Sequence, residues 1–201
     1  MAQDDDLDAR VPAEFVVKVA SASHVESEQH MLPIDKDAMA RILGNEVRWS
    51  EFQQVFYNSN KSARLAYARV AAGKGNLELI RLMLDAGRYS EIELLKIANS
   101  AVLMLQYEVV EALFAYGAPV NQIAGTYGML DALFMSASHF DTRHQDLLRL
   151  ITSKGGVIDE VNLASWTAKS DASRDALLRK LNFSASVGIM VFTNEKRVIT
   201  F

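Results

Sequence analysis

Cysteine is absent from the chain, and that excludes disulfides, thiolate metal sites and cysteine nucleophiles outright. An excess of basic charge is also missing. With 21 Lys and Arg against 25 Asp and Glu the net charge is −4, which argues against nucleic acid as the main partner, because phosphate binding needs a basic field. No stretch approaches the eighteen or so consecutive apolar residues of a membrane span, so no membrane role is expected. The N-terminus, Met1-Ala2-Gln3-Asp4-Asp5-Asp6, is acidic, the opposite of a signal or transit peptide. A cytoplasmic or nuclear location is favoured, with secretion after signal removal left open.

The usual marks of chemistry are equally thin. His139, Asp141, His144 and Asp146 are the nearest approach to a metal constellation. A helical zinc site wants histidines four apart on one face, and these are five apart across a turn, so a solvated loop is expected and no metal. Ser50, Ser136 and Ser165 lack the glycine-flanked strand-to-helix context of a nucleophile elbow. Gly73-Lys74-Gly75 is too short for a phosphate loop and has no Ser or Thr after its Lys. Asp85, Glu108, Glu111 and Asp146 suit exposed faces and helix ends better than a paired acid and base. No catalytic residue and no cofactor is assigned.

What the chain does have is helical periodicity. Half of its 201 residues are hydrophobic, enough for one domain with a core. Residues 75–87 show the pattern best. Gly75-Asn76 turns and caps; Leu79, Ile80, Leu82, Met83 and Leu84 form an apolar stripe; Gly87 stands where a left-handed residue ends a helix. Similar spacing predicts helices over 35–43, 47–57, 62–72, 91–103, 107–116, 129–138, 143–153, 163–168 and 172–181, with Asp35 and either Ser170 or Asp171 as caps. The ends look different. Residues 1–32 comprise an acidic tail and a possible short strand, Glu14-Phe15-Val16-Val17-Lys18-Val19-Ala20. At 182–201, two β-rich runs, 187–193 and 197–201, flank Asn194-Glu195-Lys196 and predict a β-hairpin that docks on the stack.

The glycines Gly87, Gly117 and Gly155 stand 30 and 38 residues apart, the length of a helix pair with its connector. On these residues the chain resembles the ankyrin repeat. The family's second helix, roughly G-H-L-E-V-V-x-L-L-L-x-x-G-A-D-V-N, has counterparts at 75–87, at 108–121 ending Gly117-Ala118-Pro119-Val120-Asn121, and at 146–159 ending Gly155-Gly156-Val157-Ile158-Asp159. The family's T-P-L-H start is absent. Its place is taken by residues 66–69, 96–99 and 131–134. The fold this implies is all-α: an ankyrin-like α-solenoid of about four to five helix pairs over residues 33–181, with a short N-terminal strand and a C-terminal β-hairpin.

The resemblance further implies a protein-protein interaction module that binds its partner through the concave face. The residues expected there are Tyr67, Arg69, Arg88, Tyr89, Gln122, Tyr127 and Asp159. Tyr and Arg are the types that dominate interface energy, although Tyr67 and Tyr127 suit core packing equally well. Arg64, Arg69, Lys61 and Lys74 with Tyr67 make a small basic face, which a solvated surface also explains. A rival use is homo-oligomerisation, or capture of an extended peptide, on the edge of the hairpin. A microbial factor acting on host proteins and an enzyme with an unrecognised site complete the alternatives.

Overall fold

A computed structural model describes residues 32–136 and 139–195. Ten helices are present among them: α1 (Lys36–Leu43), α2 (Trp49–Asn58), α3 (Lys61–Gly73), α4 (Leu77–Ala86), α5 (Glu91–Leu103), α6 (Tyr107–Ala115), α7 (Met129–Ser136), α8 (Thr142–Ser153), α9 (Glu160–Lys169) and α10 (Asp171–Ser186). The chain is all-α, as its periodicity implies. Several starts are set by side-chain caps that satisfy orphan N–H groups. Asp35 accepts from Ala38 N at 2.9 Å, Asn60 from Ala63 N at 2.8 Å and Asn76 from Leu79 N at 3.0 Å. Ser90 and Glu93 form a reciprocal capping box at the start of α5. Ser170 caps α10.

Consecutive helices pair, and the pairs stack in two layers. Helices α1, α3, α5 and α7 contact one another in sequence; α4, α6 and α8 do the same behind them; α3–α4, α5–α6, α7–α8 and α9–α10 pack as pairs. The core lies between the layers. Small residues on α3, Ala63, Ala68, Ala71 and Ala72, let the backbones approach. At one end Trp49, Phe52 and Phe56 of α2 form an aromatic cluster, which Tyr67 of α3 joins through Phe52, met edge-on at 5.2 Å.

Hydrogen bonds tie each pair to the next at nearly constant separation. Asn76 Nδ2 donates to Asn45 Oδ1, Arg69 Nε to Ser100 Oγ, and Tyr116 Oη to Asp85 Oδ1, each 31 residues apart. The turn inside each of the first three pairs also repeats. Asn45, Gly75 and Leu105, spaced by 30, have φ of 59°, 74° and 58°. In each turn the following N–H closes on the carbonyl five residues earlier: Glu46 on Arg41, Asn76 on Ala71, Gln106 on Ala101. Asn and Gly tolerate the left-handed region; Leu105 is held there by the packing around it.

Three expectations need correction. Gly87 is not left-handed: its φ of −102° and ψ of 155° are extended. It is glycine because a Cβ there would lie 2.5 Å from the Tyr89 ring and 2.9 Å from Met83 O. The last helix, α10, runs to Ser186, past the expected boundary at 181. The C-terminal β-hairpin is not seen: no strand occurs among the described residues. Its first limb instead opens with the helix-ending turn at Val187 and Gly188, and its end pairs in parallel with a single residue of the α8–α9 connector. Ile158 N donates to Phe192 O at 2.9 Å, and Asn194 N to Ile158 O at 3.1 Å. A backbone partner already in place satisfies the polar groups that a hairpin would have paired. The proposed strand at 14–20 and the second limb at 197–201 lie outside the described residues.

The final pair joins the core through Leu177 and Leu181 of α10 and adds polar and aromatic contacts. Helix α9 buries no residue. Lys180 of α10, itself buried, donates from Nζ to Phe134 O and sits 5.8 Å from the Phe140 ring centre. Burial pushes its amino group down to about 8.

Candidate functional site

A groove of about 590 Å³ crosses the front layer where α1, α3 and α5 end. On α3, Ala66, Arg69, Val70 and Gly73 recur at helical spacing along it. Leu43 closes one side, and Leu103 and Met104 the other. These three apolar side chains are 49, 42 and 63 % exposed. The cap geometry explains their exposure. Each belongs to the last turn or cap of its helix, where the chain leaves the buried stripe; on α5 that stripe is Leu94, Leu95, Ile97, Ala98, Ala101 and Val102. The charged side chains lining the groove are Arg69 and Lys74, both cationic and both exposed.

The seven expected binding residues are not gathered on one surface. Tyr67 is fully buried, and its Oη accepts a hydrogen bond from Asp35 N at 2.6 Å, so its ring belongs to the core and not to a binding face. Arg69 lines the groove. Tyr127 is 46 % exposed, and its carbonyl accepts from Asn99 Nδ2 at 2.7 Å. Asn99 adjoins Ser100, the partner of Arg69, so Arg69 and Tyr127 are each tied to α5 through neighbouring residues of that helix. Gln122 and Asp159 meet through Asn162, whose Nδ2 donates to Gln122 Oε1 at 3.4 Å and whose N–H donates to Asp159 Oδ1 at 3.2 Å. Asp159 is engaged as the cap of α9 and also accepts from Asn194 Nδ2 at 3.1 Å. Arg88 is exposed on the α4–α5 connector. Beside it Tyr89 is half-buried, its Oη has no hydrogen-bond partner, and burial pushes its pKa up.

The connector at 122–127 forms a tight turn, with Thr126 N donating to Ile123 O at 2.9 Å and Ala124 and Gly125 both at positive φ. Beneath it lies Asp131, 1 % exposed. Its two oxygens accept from Gly128 N at 3.1 Å and Asp159 N at 3.2 Å, so one carboxyl joins the start of α7 to the start of α9. Burial raises its pKa to about 6, and the hydrogen bonds from Asp159, Gly128 and Asn162 oppose that rise.

The His139–Asp146 stretch is the entry to α8. Asp141 accepts from Arg143 N at 3.0 Å and lies 2.7 Å from His144 Nδ1. Arg143 first, then His144, hold its carboxyl well below the usual range. The His144 ring is buried and stacks on Phe140 at 4.9 Å. Among the described residues no three His, Asp or Glu side chains are placed to hold a metal, and no helix is long and apolar enough to cross a membrane.

The sequence pattern does not single out Leu43, Leu103 or Met104, whereas Arg69 and Lys74 of the groove belong to the small basic face read from the sequence. Leu103 and Met104 extend an apolar helix without a break, so only the turn at Leu105 separates them from the core. What the fold defines is a two-layer stack of helix pairs carrying an open, apolar, cation-edged groove. No family model matches the chain, and neither a curated protein nor a solved structure does.

Proposed function

We propose that this protein is a protein-protein interaction module, a divergent ankyrin-like stack that binds a partner through the exposed face of its first helices. The observation that carries the reading is the groove between α1, α3 and α5, where three large apolar side chains stay exposed beside Arg69 and Lys74. Single exposed apolar residues are ordinary; three of them meeting in one groove support reading it as a contact surface. The 30-residue recurrence of the turns at Asn45, Gly75 and Leu105 supports the repeat character. Tyr127, exposed and tied to α5 through Asn99, supplies a further aromatic beside these helices. No catalytic step is assigned to it.

The test is affinity purification of the tagged full chain with quantitative mass spectrometry, in parallel with Tyr127→Ala and Met104→Asp variants. A protein retained by the wild type and depleted by either variant is expected. Recovery of no protein above control, or full retention by both variants, overturns the assignment of this face.

A further inference from the structure

We propose that the α1–α3–α5 groove takes an acidic peptide segment, with apolar side chains seated against Leu43, Leu103 and Met104 and carboxylates set on Arg69 and Lys74; this rests on the reading of the protein as an interaction module. Three features fix the chemistry of the occupant. The walls are apolar and open, so they call for aliphatic or aromatic side chains, and at about 590 Å³ the groove is the size of a ligand cleft. The charged groups along it are both cations, on a chain whose net charge is −4, so the charge on its edge is opposite in sign to that of the whole chain. Arg69 is also held in place: its Nε donates to Ser100 Oγ at 3.2 Å, which orients the guanidinium edge and reduces the ordering needed on binding.

Peptide is favoured over the other anionic partners. Surface binding to anionic lipid draws on clusters of four to eight basic residues, and the groove presents Arg69 and Lys74. Single-stranded nucleic acid needs stacking aromatics along a basic track, and none lines this groove. Apolar walls with two cations instead match a short helix or extended segment whose anchors alternate with Asp or Glu. The walls set affinity; the cations set selectivity.

The experiment is selection of a phage-displayed library of random peptides of about 12 residues on the full-length protein. The enriched peptides are then synthesised, and their binding is measured by fluorescence anisotropy beside a labelled poly(dT) oligonucleotide and anionic phosphatidylserine vesicles. The expected winners place Asp or Glu beside Leu, Met or Phe. The double variant Arg69→Glu/Lys74→Glu weakens them about tenfold or more, since each exposed pair is modest alone. Raising salt from about 50 to about 500 mM weakens them as well. Met104→Asp, at a side chain 63 % exposed, abolishes binding while the unfolding midpoint stays put. The inference is overturned if no peptide is enriched, if the winners lack acidic residues, if they bind the double variant equally well, or if the oligonucleotide or vesicles bind instead. A cellular partner still captured by the double variant would remove this groove while leaving the interaction module standing. Capture of nothing would remove both.

Discussion

Asp131 makes the stability of this fold depend on pH in an unusual direction. Its carboxyl is 1 % exposed, and burial raises its pKa from 3.8 to about 6 in the folded chain. Below pH 3.8 the group is protonated in both states, and its contribution is complete. Between 3.8 and about 6 the unfolded chain releases the proton while the folded chain keeps it, so stability falls as pH rises. At about 1.4 kcal/mol per pH unit the loss amounts to at most about 3 kcal/mol, and it is complete above about pH 6.

Other carboxylates act oppositely. Asp141 is held below its usual range, so its contribution is lost as pH falls. The measurement is therefore a difference: urea unfolding by circular dichroism from about pH 4 to about pH 7.5, wild type against Asp131→Asn. Asparagine cannot accept from both Gly128 N and Asp159 N, which shifts the variant by a constant of about 1–3 kcal/mol. The slope, however, belongs to the proton. Wild type should lose ground to the variant as pH rises. A flat difference curve would refute the burial argument. A rising one would mean that the backbone donors outweigh desolvation and the carboxylate is the favoured form.

Tyr67→Phe removes the acceptor of Asp35 N–H and should cost about 1 kcal/mol, whereas Tyr67→Ala should cost about 3–5 kcal/mol by chemical denaturation; a neutral alanine would contradict its place in the core. Gly87→Ala keeps a permitted extended backbone but drives Cβ into the Tyr89 ring and Met83 O, so a loss of about 1–3 kcal/mol is expected, and a neutral result would show that Tyr89 yields freely. Deleting residues 188–201 removes buried Ile189 and Val191 and the bridge to Ile158. Stability should fall by about 3 kcal/mol. The mass in solution by light scattering should stay unchanged, and a halved mass would instead place the tail at an interface between copies.

Sequence alone determined the helices and many of their ends. Asp35, Asn76 and Ser170 act on N–H groups three residues away, and apolar stripes such as that of α4 follow from a 3.6-residue period, so both are local and legible. The tertiary structure decided what depends on which faces meet. Tyr67 carries the same side chain whether it faces solvent or core; the position of α2 and of Asp35 N–H settled it. Leu105 has no local preference for positive φ and is placed there by the turn that repeats at Asn45 and Gly75. A β-rich tail suits a hairpin by propensity, yet its first limb pairs with Ile158 because that backbone edge is already formed beside it. The groove is the clearest case. Leu43, Lys74 and Met104 lie some 30 residues apart in the chain, and only the stacking of α1, α3 and α5 turns three helix ends into one surface.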